Sequence, residues 1–559
     1  MPKLGLGNYS GMQPMKNTYL PFVIICSFLL GAFTLHFSEK LSRSDAHTAA
    51  KVMGLEFTDA EIDTLLPDLR EALEDYQRNR ELAIPNGLSP AITFNPLPAG
   101  MHIPTDQMPI RWSLPKPVQL PDNRDELAFY TIGELGYLLR SKKLTSVELT
   151  RFFLQRLKKY DQQLHFMITL TEDLALRQAQ RADSLFAEGV ILSPLQGIPY
   201  GAKDLLAKKG YKTTWGAMPF KDQVIDMDAT VITKLEAAGA VLCAKLTLGA
   251  LAWGDVWYGE MTRNPWKPAT GSSGSSAGSA SAVAAGCLPF AIGTETLGSI
   301  VSPSTVCGTT GLRPTFGQVS RHGAMALSWT MDKIGPICRS VEDCAMVYDA
   351  IRGADGLDNS LMPAAFNYDA QLDVKKLRVG YVKDHFYRQY GFHENDSVSL
   401  VALREMGIEL VPIELPPLPD ITFILSAEAA AAFDDLTRSG KDDLMVRQVK
   451  NAWPNVFRAA RFIPAVEYIQ ANRLRTQLMA EMADVFKKVD VYVAPSWNSS
   501  SLTITNLTGH PAVVVPNGFR DGTPTSITFT GQLFGEAKVA AVAKAFQDAT
   551  DFHQKHPVL

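Results

Sequence analysis

Positive charge is not in excess in this 559-residue chain: 54 lysines and arginines face 58 aspartates and glutamates, for a formal charge of -4. With no basic field to attract phosphates, nucleic acid is not an expected partner. Cysteine is sparse. Cys26, Cys243, Cys287, Cys307, Cys338 and Cys344 are scattered through apolar runs, with no C-x-x-C pair and no adjoining histidine cluster. A zinc site or a disulfide framework needs such spacing, so these read as buried thiols, and no metal or other cofactor is expected. No repeat of fixed period is present, which removes solenoids and propellers. Lysine is missing from the whole interval between Lys267 and Lys333. The glycine-rich stretch in that interval therefore lacks the lysine of a phosphate-cradling loop.

Tyr19 to Phe37 is an apolar run without charge, preceded by a polar start carrying Lys3 and Lys16. Residues 1–40 read as a signal peptide or membrane anchor, so the chain is expected to be exported, periplasmic or extracellular. The small residues Gly31, Ala32 and Thr34 match a cleavage site poorly, which keeps membrane association through residues 19–37 open, as is a homodimer. Thr58 and Glu61 have capping-box spacing ahead of Ile62, Leu65, Leu66, Leu69 and Leu73, predicting a helix. From Ile84 to Pro121 the chain becomes proline-rich and aperiodic, as an extended linker does. Residues 41–124 thus form a helical extension and linker, and residues 125–559 the main domain.

In that domain a second capping box, Thr145 with Glu148, opens a helix, and another helix is predicted from Leu170 to Glu188. Short apolar runs at Val241–Cys243, Phe290–Ile292, Val379–Val382, Val491–Val493 and Ala512–Val515 read as strands. They alternate with helical stretches at Ser426–Arg438, Ala465–Lys487 and Glu536–His553. Such alternation indicates an α/β fold, an open mixed twisted central sheet sandwiched by helices on both faces.

The most constrained stretch is Thr270 to Gly286, built almost wholly of Gly, Ser and Ala, followed by Gly293 to Ser299. Small residues permit unusual dihedrals and close approach, and the six serines supply hydroxyls. Gly274-Ser275-Ser276-Ala277-Gly278 has the G-x-S-x-G form of a nucleophile elbow centred on Ser276. That motif requires a preceding strand, and Pro265 and Pro268 forbid a central one. A better account joins Lys203, in an Ile-Pro-x-Gly-x-Lys-Asp loop, with Ser275 and with Ser299.

These pieces, with Thr262–Trp266, Cys307–Thr315, Asp332–Pro336 and Asn506–Pro511, resemble the amidase signature family over roughly Tyr130 to His553. The resemblance implies an amidase that hydrolyses linear amides of small molecules or peptides. It further implies an acyl-enzyme on Ser299, with Ser275, cis to Gly274, relaying a proton to Lys203. Ser276 then structures the loop, and the N–H groups of Thr296, Leu297, Gly298 and Ser299 form the oxyanion hole. A lysine base must be neutral, so Lys203 needs a pKa lowered by burial from about 10.4 toward 7.

Three departures from the family's pattern stand together. Leu297 replaces a glycine, so either the turn is reshaped or the residue keeps an ordinary φ. Glu295 and Val301 replace an Asp and an Arg whose loss looks paired, leaving no cation at position 301 for a substrate carboxylate. The rival functions are a catalytically impaired binding protein with this fold and the A-type subunit of a glutamine-dependent amidotransferase. Trp253, Trp257, Tyr258 and Trp329 are candidates for an apolar pocket, with core packing the commoner fate of such residues.

Overall fold

A computed structural model describes residues 41–113 and 117–559 of the chain. The apolar run Tyr19–Phe37 lies outside the described residues. Among those described, no helix is long and apolar enough to cross a membrane. Contacts divide the chain between Ala83 and Ile84. In the first unit, helices Arg43–Val52 and Asp59–Arg80 both begin with complete capping boxes, Ser42 with Asp45 and Thr58 with Glu61.

The second unit, Ile84–Leu559, contains the sheet, and the proline-rich stretch belongs to it. In chain order the strands are β1 Met167–Leu170, β2 Pro199–Lys203, β3 Val241–Leu246, β4 Arg263–Asn264, β5 Lys267–Gly271, β6 Phe290–Glu295 and β7 Thr310–Arg313. They continue with β8 Lys333–Cys338, β9 Val379–Val382, β10 Leu410–Ile413, β11 Val491–Pro495, β12 Ala512–Arg520 and β13 Thr523–Gly531. Eleven of them form one sheet in the order β1-β3-β2-β6-β8-β7-β12-β13-β11-β9-β10, while β4 and β5 pair separately. That separate hairpin is where the two prolines before the glycine-rich loop are accommodated. Parallel pairs β2/β3 and β2/β6 on one side and β9/β11 and β9/β10 on the other flank a central run of antiparallel pairs, so the sheet is mixed.

Both faces are covered, and the strand period of two shows it. On β6, Phe290 and Ile292 join one core cluster while Ala291 joins another. On β11, Val491 and Val493 join the first, and Tyr492 and Ala494 a third built with helix Ala465–Lys488. The fold is α/β, a mixed sheet flanked by helices.

Several predicted elements change in detail. Leu170 ends strand β1, and the helix predicted from it starts at Glu172. The helix predicted over Ser426–Arg438 is two, Phe423–Ala432 and Asp434–Arg438, broken at Phe433. Lys203 lies not in a loop but at the end of β2, whose first residue is Pro199. A strand tolerates proline at its start, where the missing N–H costs no ladder bond.

Phe290 is fully buried and stacks on Tyr200 of the adjacent strand, with centroids 5.2 Å apart and planes 6° from parallel. Phe290→Ala is expected to lower unfolding free energy by about 3–5 kcal/mol in urea titrations followed by tryptophan fluorescence. A loss below about 1 kcal/mol would show that this layer does not carry the core.

Candidate active site

Strands β3, β2 and β6 run parallel and side by side, so their carboxyl ends open at one edge, where ligands of α/β sheets commonly bind. Lys203 ends β2 and Thr294 and Glu295 end β6. The chain then turns through residues 296–300 into helix Val301–Cys307. From the other side comes the glycine- and serine-rich loop, which enters helix Ala277–Ala284. All eight residues of that helix are buried, and their small size lets it sit against β6: Ser279 Oγ donates to Ile292 O at 3.0 Å and Ser281 Oγ to Arg263 O at 2.8 Å. Two of the six serines thus serve packing.

The Gly274–Ser275 peptide is cis. Glycine is required at 274 because a Cβ there would collide with the Gly254 carbonyl. Ser275 follows with its hydroxyl 2.8 Å from Lys203 Nζ. Lys203 Nζ also lies 3.1 Å from Ser276 Oγ and 2.8 Å from Thr294 Oγ1. Ser276 Oγ in turn accepts from Thr294 N and donates to Thr294 O, both at 3.1 Å. Ser276 therefore fastens the loop to β6, and no strand precedes it in the position an elbow would need. Thr294, to which sequence reasoning gave no role, is the third hydroxyl around the amine.

Lys203 is completely buried. Burial pushes its pKa down to about 7, against the opposing pull of Asp332 and Glu295. The neighbouring Asp204 does not neutralise it. Asp204 pairs with Lys245 at 2.7 Å, both side chains fully buried, and accepts from Thr214 N and Oγ1 at 2.8 and 2.6 Å. The alternation of β2 sends consecutive residues Lys203 and Asp204 to different partners.

Ser299 is 9% exposed and joined to the loop through its main chain, where Ser276 N donates to Ser299 O at 3.2 Å. Its hydroxyl is hydrogen-bonded to none of the described residues. The N–H groups of Thr296, Leu297, Gly298 and Ser299 likewise have no acceptor among the described residues, leaving a row of free donors. The positive φ of this turn, +87°, falls on Gly298, and Leu297 is not among the residues with positive φ. Leucine at 297 therefore needs no left-handed conformation, and the turn keeps one glycine where one is needed.

Glu295 closes the turn from beneath. Its Oε2 accepts from Ile300 N and Val301 N at 2.8 and 2.9 Å, and its Oε1 from Arg313 Nη1 and Asn506 Nδ2 at 2.7 and 2.8 Å. This corrects the paired-loss reading of Glu295 and Val301: the carboxylate has a cation, Arg313, and position 301 contributes its N–H. Burial alone would raise the Glu295 pKa, but Arg313 and the hydrogen bonds outweigh it and hold it at about 2. On the other side, Thr296 Oγ1 donates to Asp332 at 2.5 Å, and Asp332 also accepts from Leu327 N and Ser328 N at 2.8 and 2.9 Å. Three of the separated motifs, around Arg313, Asp332 and Asn506, thus converge on one turn.

A cavity partly open to solvent adjoins the site at Thr294 and Thr296. Of the four aromatic candidates only Trp329 lines it. Trp253 lies under the Arg447 guanidinium, 4.6 Å from its centroid, and Trp257 packs edge-on against Tyr258 at 4.9 Å.

Because the Glu295 pKa is depressed, its stabilisation is complete above the ordinary carboxylate value and is lost as pH falls from about 4.5 through about 2. Glu295→Gln, which strands the buried Arg313, is expected to cost about 3–5 kcal/mol at neutral pH. The difference from wild type should shrink across that acidic window in thermal denaturation; a pH-independent difference would contradict the clamp.

Comparison with known proteins agrees with this geometry. A family model described as Amidase matches residues 148–505. The A subunit of the glutamyl-tRNA(Gln) amidotransferase of Chloroflexus aggregans is 34% identical over 484 residues, covering 78% of this chain and 99% of that one. Its counterpart in Geobacillus kaustophilus is 32% identical over 481 residues, covering 77% and 99%. The structure of a peptide amidase from Stenotrophomonas maltophilia superposes with a TM-score of 0.68 at 29% identity, covering 76% of this chain and 98% of that one. By sequence, fold and the constellation around Lys203, the chain is a member of the amidase signature family.

Proposed function

We propose that this amidase cleaves its amide through an acyl-enzyme on Ser299, with Ser275 as proton relay and Lys203 as general base. The observation that carries the reading is the 2.8 Å contact between Ser275 Oγ and a completely buried lysine whose pKa burial lowers to about 7. A neutral Nζ takes the Ser275 proton as Ser275 takes that of Ser299, and Ser299 Oγ bonds to the amide carbonyl carbon. Rotation of the Ser299 hydroxyl toward Ser275 completes the relay, since catalytic hydrogen bonds commonly tighten only once substrate is bound. The oxyanion meets the free N–H groups of Thr296, Leu297 and Gly298, held in place by Glu295 and Asp332. Collapse returns the proton along the relay to the leaving nitrogen. Water then repeats the cycle and frees the acid.

The 34% identity to an amidotransferase of the glutamyl-tRNA(Gln) type supports a second reading, in which the nitrogen is passed to glutamyl-tRNA instead of being released. Ammonia or amine release from a simple amide, without tRNA, separates the two. Treatment with a fluorophosphonate and peptide mapping should place an adduct on Ser299. Lys203→Ala should slow its formation by about 10²- to 10⁴-fold, the span of a general base. An adduct on Ser276, or labelling indifferent to Lys203, would overturn the assignment.

A further inference from the structure

The cavity beside Thr294 and Thr296 has an outer wall from the beginning of the catalytic unit: Gly87 and Ser89 both line it. Apolar burial does not hold that wall in place, since Ile84, Leu88 and Ile92 are 66%, 61% and 81% exposed. A single polar side chain does. Asn86 Nδ2 donates to Ala326 O at 3.0 Å and to Ala432 O at 3.2 Å, while Asn86 Oδ1 accepts from Ala326 N at 2.8 Å. The amide group thereby reproduces peptide-to-peptide pairing with a residue that itself lines the cavity, and ties both to the end of helix Phe423–Ala432.

The lining mixes apolar side chains, Leu205, Met325, Leu327, Trp329, Ile334 and Leu357, with polar and charged ones. Arg321 Nε meets Asp358 Oδ2 at 3.0 Å, and Arg321 Nη2 reaches Ser360 Oγ at 2.7 Å. Lys333 Nζ donates to Met331 O, and Asp332 is filled by the three donors described above. Of the ionisable wall residues only Arg321 and Asp358 pair with each other; Asp332, Lys333 and His322 have no ion-pair partner among the described residues.

We infer that Asn86–Ser89 form the outer wall of the substrate cavity, with Asn86 as its positioning residue. The inference rests on the catalytic reading of the adjoining site. It predicts that the reach of this wall decides how large a group the enzyme accepts.

The test separates binding from chemistry. In a Ser299→Ala background, calorimetry measures the binding of phenylbutanamide. Gly87→Phe fills the mouth; a Cβ at 87 has no atom nearer than 3.9 Å, so the backbone accepts it. This variant should weaken that binding about tenfold or more. With Ser299 restored, Asn86→Ala should raise KM for phenylbutanamide several-fold more than KM for acetamide, whereas a general folding defect would lower turnover of both alike. Equal binding with and without Gly87→Phe, or equal losses for both amides in Asn86→Ala, would overturn the inference. Absence of a fluorophosphonate adduct on Ser299 with this binding pattern intact would instead sink the catalytic reading and leave the wall standing.

Discussion

A lysine amine buried without a counter-ion is the constraint on which this structure turns. Lys203 follows four residues of strand that are themselves buried, and the next residue is an aspartate that in most settings would hold the amine charged. The fold prevents that by giving Asp204 its own lysine, Lys245, from the neighbouring strand β3. What remains around Lys203 Nζ is a ring of hydroxyls from Ser275, Ser276 and Thr294, which can share hydrogen bonds with a neutral amine but supply no full negative charge. Desolvation then dominates, and the amine becomes a base in the neutral range.

The surrounding polar groups are arranged to brace the turn after β6 without charging the lysine. Glu295 is spent on Arg313, Asn506 and two backbone N–H groups, and Asp332 on Thr296 and two more. Each carboxylate holds one side of residues 296–301. The N–H donors of residues 296–299 have no acceptor among the described residues. Burying an ion pair such as Glu295–Arg313 is of little net benefit to stability, and its use here is to hold geometry.

Much of this arrangement was legible in the residues. Alternating apolar runs marked the strands at Val241, Phe290, Val379, Val491 and Ala512, and the Thr145–Glu148 and Thr58–Glu61 boxes marked two helix starts, because these signals are local. The small residues from Thr270 to Gly286 marked a loop that must admit close neighbours. What stayed hidden depends on distant partners. Strand β2 was concealed by its proline and glycine, and it is a strand because β3 and β6 flank it. Glu295 seemed to have lost a partner at 301 because its cation stands 18 positions away on β7. Of the aromatic residues, Trp329 reached the cavity and Trp253 did not, a distinction set by tertiary packing that periodicity does not carry.

The wall contributed by Asn86–Ser89 follows the same logic, a polar side chain fixing a segment that apolar burial leaves free. All of it presumes that Lys203 is neutral when the enzyme works. The most direct measurement is the pH dependence of kcat/KM for a neutral amide. The account predicts a rate that rises as pH passes about 7 and then levels, as the buried amine loses its proton. A rising limb that continues toward about 10.4, the ordinary lysine value, would show that burial does not set the base and would contradict the account.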